Sequence, residues 1–462
     1  MNNCPRFAVV GHPNKGKSSI VATMVHSSDI AISELSGTTV STESYSYTLD
    51  GEPLYTLFDT PGFQRPRQLL EWLQNQNTDA SNRLLAVENF LNEHNQVKEG
   101  DRFCDEVELL KPIIHDGAGI IYVVDGSVPY SPEYEAEMSV LQWTGQPRMA
   151  LINPIGGEQF VEQWRQALGQ YFSLVKVFNP VSDGADKQLA ILRAFAELND
   201  NWRQQLLDAV SAIEVRNRKT KEQAAELIAE ALAHMLAEKV SKPLPADGLQ
   251  KATETWVSKE YKSRLQRKER QLRESILALY QHYGLDIQEA DLQLDYPDLF
   301  DRDYWYLFGM SRKKLVALAS ASGAAAGALV DAGVGGSSLM AGAMIGGLGA
   351  GITSLYFSHK PDQLSIKGLP LAGKQLTAGP VKNLSFAFVL LGRAVRYQRA
   401  VAARAHGDRR PLLLAEEKRD SWLEALDHSQ QVKLTGLLKN GHKGLGEKHR
   451  QFLQGLISRI LL

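Results

Sequence analysis

The run Gly11-His12-Pro13-Asn14-Lys15-Gly16-Lys17-Ser18 constrains this 462-residue chain more than any other feature. It fits G-x-x-x-x-G-K-[ST] without deviation. It follows the apolar run Phe7-Ala8-Val9-Val10 and opens a helical stretch at Lys17. Strand, glycine turn and helix together are the setting in which this motif cradles phosphate. The glycines let backbone approach the phosphates, and successive N–H groups form an anion-binding nest at the positive end of the helix. Lys17 is expected to neutralise β- and γ-phosphates, and Ser18 to offer its hydroxyl to Mg²⁺. Asn14, Lys15, Gly16 and Ser19 complete the expected nucleotide-binding run.

The fold follows from the apolar runs that come next. Leu54–Phe58, Ile120–Val124, Met149–Ile152 and Leu174–Phe178 each end in a turn and lead into helical sequence. Continuous apolar strands of this kind belong to a mostly parallel sheet with helices on both faces, an α/β P-loop domain. The alternating stretch Ser44–Leu49 reads as an added edge strand that turns at Asp50-Gly51. This domain is placed at residues 1–184 and a mostly helical domain at 185–462.

Two further motifs fall where a triphosphate site needs them. Asp59-Thr60-Pro61-Gly62 closes the second buried strand, with Asp59 set to hold Mg²⁺ through water and Gly62 to meet the γ-phosphate. Ser36-Gly37-Thr38-Thr39 lies between the two motifs. Thr39 is preferred to Thr38 as the residue that closes over the nucleotide and ligates Mg²⁺. The expected metal ligands are therefore Ser18, Thr39 and Asp59, and the expected catalytic set is Lys17, Thr39 and Gly62.

In this order and spacing the motifs resemble the Era/TrmE/septin class of bacterial GTPases, over residues 6–180. The wording Gly-x-Pro-Asn-x-Gly-Lys-Ser and Gly-Thr-Thr is typical of its Era and TrmE branch. The whole chain also resembles a group of poorly characterised bacterial GTPases with a long helical C-terminal domain. The first resemblance implies GTP and GDP as ligands, Mg²⁺, and hydrolysis of GTP to GDP and phosphate. Asn14 is similar to the P-loop Asn that helps hold K⁺ in the potassium-dependent members; its other reading is a residue that only shapes the turn.

Three departures stand out. The water-orienting Gln of Ras-like enzymes is replaced by Phe63, which the resemblance links to a slow intrinsic rate. The base-recognition motif Asn-Lys-x-Asp is represented by Asn153-Pro154-Ile155-Gly156. Asn153 is retained as a nucleotide-site residue, but the carboxylate that would read guanine is gone, with Asp183 or Glu158 as conceivable substitutes. Finally, 57 residues separate Gly62 from the strand at Ile120, with Leu69–Phe90 read as one helix and as a nucleotide-sensitive contact surface.

The rest of the chain is organised differently. Helical periodicity runs through Ala190–Lys239 and Thr253–Tyr283, interrupted by Lys242-Pro243-Leu244-Pro245. Leu315–Phe357 is a Gly/Ala-rich segment of 43 residues with Asp331 as its one formal charge, flanked by Arg312-Lys313-Lys314 and His359-Lys360. Small residues at four-residue spacing and basic flanks suggest a helical hairpin dipping into a bilayer, against a buried soluble hairpin as the alternative. Arg393, Arg396, Arg399 and Arg404 follow an apolar run and suggest a basic membrane-surface helix, with a solvated face or a dock for the acidic domain as alternatives. Gly441-His442-Lys443-Gly444 matches the GXXG loop of RNA-binding KH domains but lacks their strand context.

Charge agrees with the split. Residues 1–180 hold 12 basic and 22 acidic residues, and the remainder 39 and 31. The two cysteines, Cys4 and Cys104, form neither a disulfide framework nor a metal-ligand spacing. The expectation is thus a cytoplasmic GTPase acting as a switch or assembly protein, attached to the cytoplasmic face of the inner membrane through lipid or a membrane partner protein. A homodimer through the G domains is expected, and nucleic acid is not. The alternatives are a soluble RNA- or ribosome-associated GTPase and a nucleotide-binding scaffold with negligible turnover.

Overall fold

The computed structural model describes residues 4–25, 41–76, 79–94, 102–243, 250–280, 317–318, 321, 356–358, 365–366, 369–370, 375–404 and 421–462. The chain divides into two compact units, Met1–Arg216 with Ala403–Arg410, and Asn217–Ala402 with Pro411–Leu462.

The first unit is built on a six-stranded sheet. Its strands are β1 (Arg6–Val10), β2 (Glu43–Leu49), β3 (Glu52–Asp59), β4 (Gly119–Asp125), β5 (Arg148–Asn153) and β6 (Leu174–Val177), in the order β2-β3-β1-β4-β5-β6. All neighbours are parallel except β2 and β3, which pair as an antiparallel hairpin. Asp50 and Gly51 both take positive φ (52° and 87°), the two-residue turn that suits the strands' twist.

Strand periodicity explains why the apolar runs are unbroken. Ala8, Val10, Ile120, Tyr122, Val124, Ala150 and Ile152 point into one core, and Phe7, Val9, Ile121, Val123, Met149 and Leu151 into the other. Both faces are covered, so both sets must be apolar. Helices α2 (Pro66–Gln74), α3 (Arg83–Glu93), α4 (Cys104–His115), α5 (Glu135–Trp143) and α6 (Val161–Leu168) pack on the first face. Helices α1 (Lys17–Val25), α7 (Ala185–Ala196) and the start of α8 (Asp200–Ala237) pack on the second.

Two expectations change here. The stretch Leu69–Phe90 is two helices: α2 ends at Gln74, and Asp79 accepts hydrogen bonds from the Ser81 and Asn82 N–H groups to start a new turn before α3. A short acidic side chain at that position satisfies the orphan donors of a helix start. The first compact unit also runs past residue 184. Leu189, Ile191, Leu192 and Phe195 of α7, then Trp202 and Leu206 of α8, are buried with the sheet, and Arg216 donates to the Tyr47 hydroxyl of β2 at 2.8 Å.

The second unit is mainly helical. The remainder of α8, α9 (Gln250–Leu279), α10 (Leu384–Ala403), α11 (His428–Asn440) and α12 (Glu447–Leu461) share one core. A small antiparallel sheet was not anticipated: β7 (Val240–Pro243) and β8 (Tyr356–Ser358) flank a central strand at Gln375–Ala378. These strands are three or four residues long, too short for periodicity to register.

Helix α10 corrects another expectation. It does not present its arginines as a membrane-surface face. Phe386–Leu391 are buried, and so are Arg393 and Arg396 at 3% and 6% exposure. Arg393 forms a bidentate pair with Glu269 of α9, at 2.6 and 3.1 Å. Arg399 donates to the Ile460 carbonyl at 3.0 Å. The charge pattern of a surface helix here belongs to a central helix, with Arg393 and Arg399 held by partners within the protein. The Gly441–Lys443 segment is a short 3₁₀ turn between α11 and α12, not the strand-flanked loop of a KH domain. Residues 315–357, apart from 317–318, 321 and 356–357, lie outside the described residues, as does the membrane hairpin expected there. Among the described residues no helix is long and apolar enough to cross a membrane.

Candidate nucleotide site

The site forms at the carboxyl end of β1, where the chain leaves for β3 on one side and β4 on the other. This is the position at which open α/β sheets bind ligands. Close approach dictates the glycines. A Cβ on Gly11 (φ 143°) would meet the Val123 carbonyl oxygen at 2.4 Å, and one on Gly16 (φ 82°) the Asn153 Nδ2 at 2.4 Å. A Cβ on Gly62 would meet the Pro13 nitrogen at 2.6 Å, so the Asp59–Gly62 segment lies directly against the loop. Asn14 is exposed at φ 61°, a conformation Asn tolerates better than most residues. That geometry gives it a turn-shaping role.

Lys17 is 7% exposed, and its Nζ donates to the His12 carbonyl at 3.1 Å and the Gly11 carbonyl at 3.4 Å. Burial pushes its ammonium down to about 8, opposed by the Asp59 and Glu137 carboxylates. An anionic ligand would favour the ammonium further. Asp59 is buried at the end of β3, beside Val9 of β1 in register. Thr60 donates to the Val9 carbonyl at 2.8 Å and locks the strand ends together. Ser18 and Ser19 are half-buried in the first turn of α1. Thr39 lies outside the described residues.

Asn153, the one residue of the motif present here, lies against the loop. It is 2% exposed, and its Nδ2 donates to the Lys15 carbonyl at 3.1 Å, fixing the loop from the β5 side. Lys15 Nζ sits 3.9 Å from Asp125 Oδ2. The remaining motif positions offer no carboxylate. Gly156 is exposed, and Asp183 is engaged elsewhere: it accepts from the Asn179 N–H at 2.8 Å and pairs with Lys187 at 2.7 Å. Asp183 therefore fixes its own turn and does not replace the missing carboxylate. Glu158 is exposed.

Phe63 is fully buried, packed with Ala8, Val10 and Leu69. Its N–H donates to the Gly11 carbonyl at 3.2 Å. The residue that replaces the water-orienting Gln is thus a core anchor, and Gln64 after it is exposed.

Two buried carboxylates escaped the sequence reading. Glu137 of α5, 1% exposed, accepts from the Tyr122 hydroxyl at 2.9 Å and bonds His12 Nδ1 at 2.8 Å. Burial and Glu137 push the Tyr122 phenol well above its ordinary range, so it stays a donor. Glu106 of α4 accepts from the Gln64 N–H at 2.9 Å and from the Arg65 N–H. Each sits among other acidic residues, Glu106 between Asp105 and Glu108 and Glu137 two residues after Glu135, so nothing in the sequence marks which carboxylate turns inward.

A family model described as "Domain of unknown function (DUF3482)" matches residues 165–457, more than half of the chain. The chain belongs to the DUF3482 family. In this member the family's domain follows a second match, over residues 6–141, to a model described as "50S ribosome-binding GTPase". The N-terminal unit is accordingly a P-loop GTPase domain. This DUF3482 protein is 29% identical over 124 residues to GTPase Der of Nitrosococcus oceani, covering 26% of the chain and 25% of that relative. It is 38% identical over 66 residues to GTPase Der of Lactobacillus johnsonii, covering 14% and 15%. The chain thus spans a quarter or less of the length of these curated relatives. Among solved structures, Aquifex aeolicus Era bound to GDP·AlF₄⁻ is similar at 16% identity and a TM-score of 0.30, covering 52% of this chain and 72% of that one. Era in complex with MgGDPNP and a segment of 16S ribosomal RNA gives the same values.

Proposed function

We propose that this chain binds GTP in the cradle at β1 and hydrolyses it slowly to GDP and phosphate, as a nucleotide-dependent switch whose helical unit reports the state of the site. The observation that carries this reading is the convergence of Gly11, Gly16 and Gly62 around a buried, cationic Lys17, each at a spacing no side chain could occupy. Asn14, Lys15, Gly16, Lys17, Ser18 and Ser19 form the phosphate-facing run, and Asn153 fixes it. The cation is Mg²⁺, which takes few protein ligands and completes its shell with water and phosphate. Ser18 and Asp59, with Thr39, would hold Mg²⁺, which when bound neutralises charge on the β- and γ-phosphate oxygens. Lys17 stabilises the charge that develops as water attacks the γ-phosphorus in line and the bond to the β-phosphate oxygen breaks. Gly62 positions the γ-phosphate. Because Phe63 is committed to the core, no side chain at that position orients the water, which supports a slow intrinsic rate. K⁺ beside Asn14 would add positive charge.

Guanine preference rests on the family description rather than on a carboxylate. Calorimetry with GTP, GDP and ATP tests it: GTP and GDP are expected to bind more tightly than ATP, and equal affinities would remove the guanine assignment. Gly156→Asp, whose new Cβ would lie 3.3 Å from Ser127, is expected to raise the preference for GTP by roughly 1–3 kcal/mol.

The membrane part of the reading is supported by the sequence of residues 315–357, now without the Arg393 helix beside it. Flotation with anionic vesicles should carry the protein upward; recovery wholly at the bottom of the gradient removes it. The description of the model matched by residues 6–141 names the 50S ribosome. The expectation against a nucleic-acid partner is therefore dropped, and a ribosome- or RNA-associated switch stands as the second reading.

A further inference from the structure

Helix α4 touches both segments that flank the nucleotide site. Its apolar side, Val107, Leu110 and Ile113, is fully buried against the sheet, so the helix is a fixed body. From it, Glu106 accepts two hydrogen bonds from the backbone just after Gly62, at Gln64 N and Arg65 N. Two residues on, the Glu108 carbonyl accepts from the Thr42 hydroxyl at 2.7 Å, and the Glu108 carboxylate from the Thr42 N–H at 3.5 Å. Thr42 is the residue before β2.

Helix capping does not account for Glu106. Arg65 is the N-cap of α2 and Gln64 precedes it. The unsatisfied donors of a helix start are the N–H groups inside its first turn, and Glu106 bonds neither of these two amides as such a donor. It grips non-helical backbone between Gly62 and α2. Core stability does not account for it either. The side chain is 0% exposed, one oxygen makes both bonds, and the other, Oε2, meets no donor among the described residues. A buried polar atom left unmatched is unfavourable, and its retention calls for a use elsewhere. With Phe63 N–H bonded to the Gly11 carbonyl, all three amides after Gly62 are held by protein acceptors.

We propose that Glu106 is a positioning residue for hydrolysis: it ties the segment after Gly62 to α4, and α4, through Glu108 and Thr42, couples that segment to the one entering β2. This rests on the reading of the cradle as a GTPase site. Binding depends mainly on the P-loop, so loss of Glu106 should act on turnover. Glu106→Ala is expected to lower kcat by about 10- to 100-fold, the scale of a small misplacement of reacting groups. KM and GTP affinity should stay within about twofold, the mark of an interaction that acts on the transition state. Amide exchange at Gln64 and Arg65 should accelerate. Glu106→Gln keeps an acceptor oxygen and should recover most of the lost kcat. If the alanine variant does not fold, Glu106→Asp, one methylene shorter, should show the same split with the fold intact.

Unchanged kcat and exchange in Glu106→Ala would overturn the proposal. So would parallel losses in kcat, affinity and thermal midpoint, or a glutamine variant as slow as alanine. Wild-type turnover is measured first. A wild type that does not hydrolyse GTP overturns the site reading and this proposal together, whereas an active wild type matched by Glu106→Ala overturns this proposal alone.

Discussion

Replacing Lys17 with alanine is expected to lower GTP turnover by about 10²- to 10³-fold, the usual loss when one preorganised charge is removed from a developing anion. The structure explains why no neighbour can substitute. Lys17 is buried within the loop it serves, and Lys15, the nearest other cation of the motif, faces Asp125 at 3.9 Å. Removing Lys17 also removes a costly buried ammonium, one that burial already pushes down to about 8. The variant should therefore fold at least as well as the wild type, and its defect should appear in phosphate release and nucleotide affinity rather than in the melting curve. Unaltered turnover in a folded Lys17→Ala protein would mean that the measured activity arises elsewhere.

The second large effect lies in the helical unit. Glu269→Ala should destabilise it by about 3–5 kcal/mol, because it removes the carboxylate that holds the buried Arg393 guanidinium through two hydrogen bonds at 2.6 and 3.1 Å. Replacing both partners together, Glu269→Leu with Arg393→Met, should recover most of that loss, since a buried ion pair contributes little over apolar packing of similar volume. Chemical denaturation followed by circular dichroism measures both. A single variant that melts with the wild type would show that the pair is solvated, and would reopen the surface reading of α10.

These cases show what was legible in the sequence. The parallel sheet, its edge hairpin and the phosphate loop could be read because each depends on local rules. Strand periodicity, the Asp50-Gly51 turn and the glycine spacing all operate within a few residues. Asn153 was singled out by its resemblance to the base-recognition motif, and the structure gives it a contact with the Lys15 carbonyl 138 residues away. What escaped is non-local. Glu106 and Gln64 are separated by 42 residues, and His12 and Glu137 by 125. Neither spacing has a signature. Arg393 and Arg396 misled for a related cause. A cation at helical spacing looks the same whether it meets solvent or a buried partner 124 residues away. The second break, in Leu69–Phe90, turned on one capping aspartate, Asp79, which periodicity does not register.

The chain is expected to turn over GTP at the loop Gly11–Ser18. Multiple-turnover phosphate release by the full chain with Mg²⁺–GTP, beside Mg²⁺–ATP and the Lys17→Ala protein, tests it most directly. Slow release from GTP that continues past one phosphate per chain is expected, with slower release from ATP and loss of the signal in Lys17→Ala. Release that stops at or below one phosphate per chain, or that persists in Lys17→Ala, would contradict it.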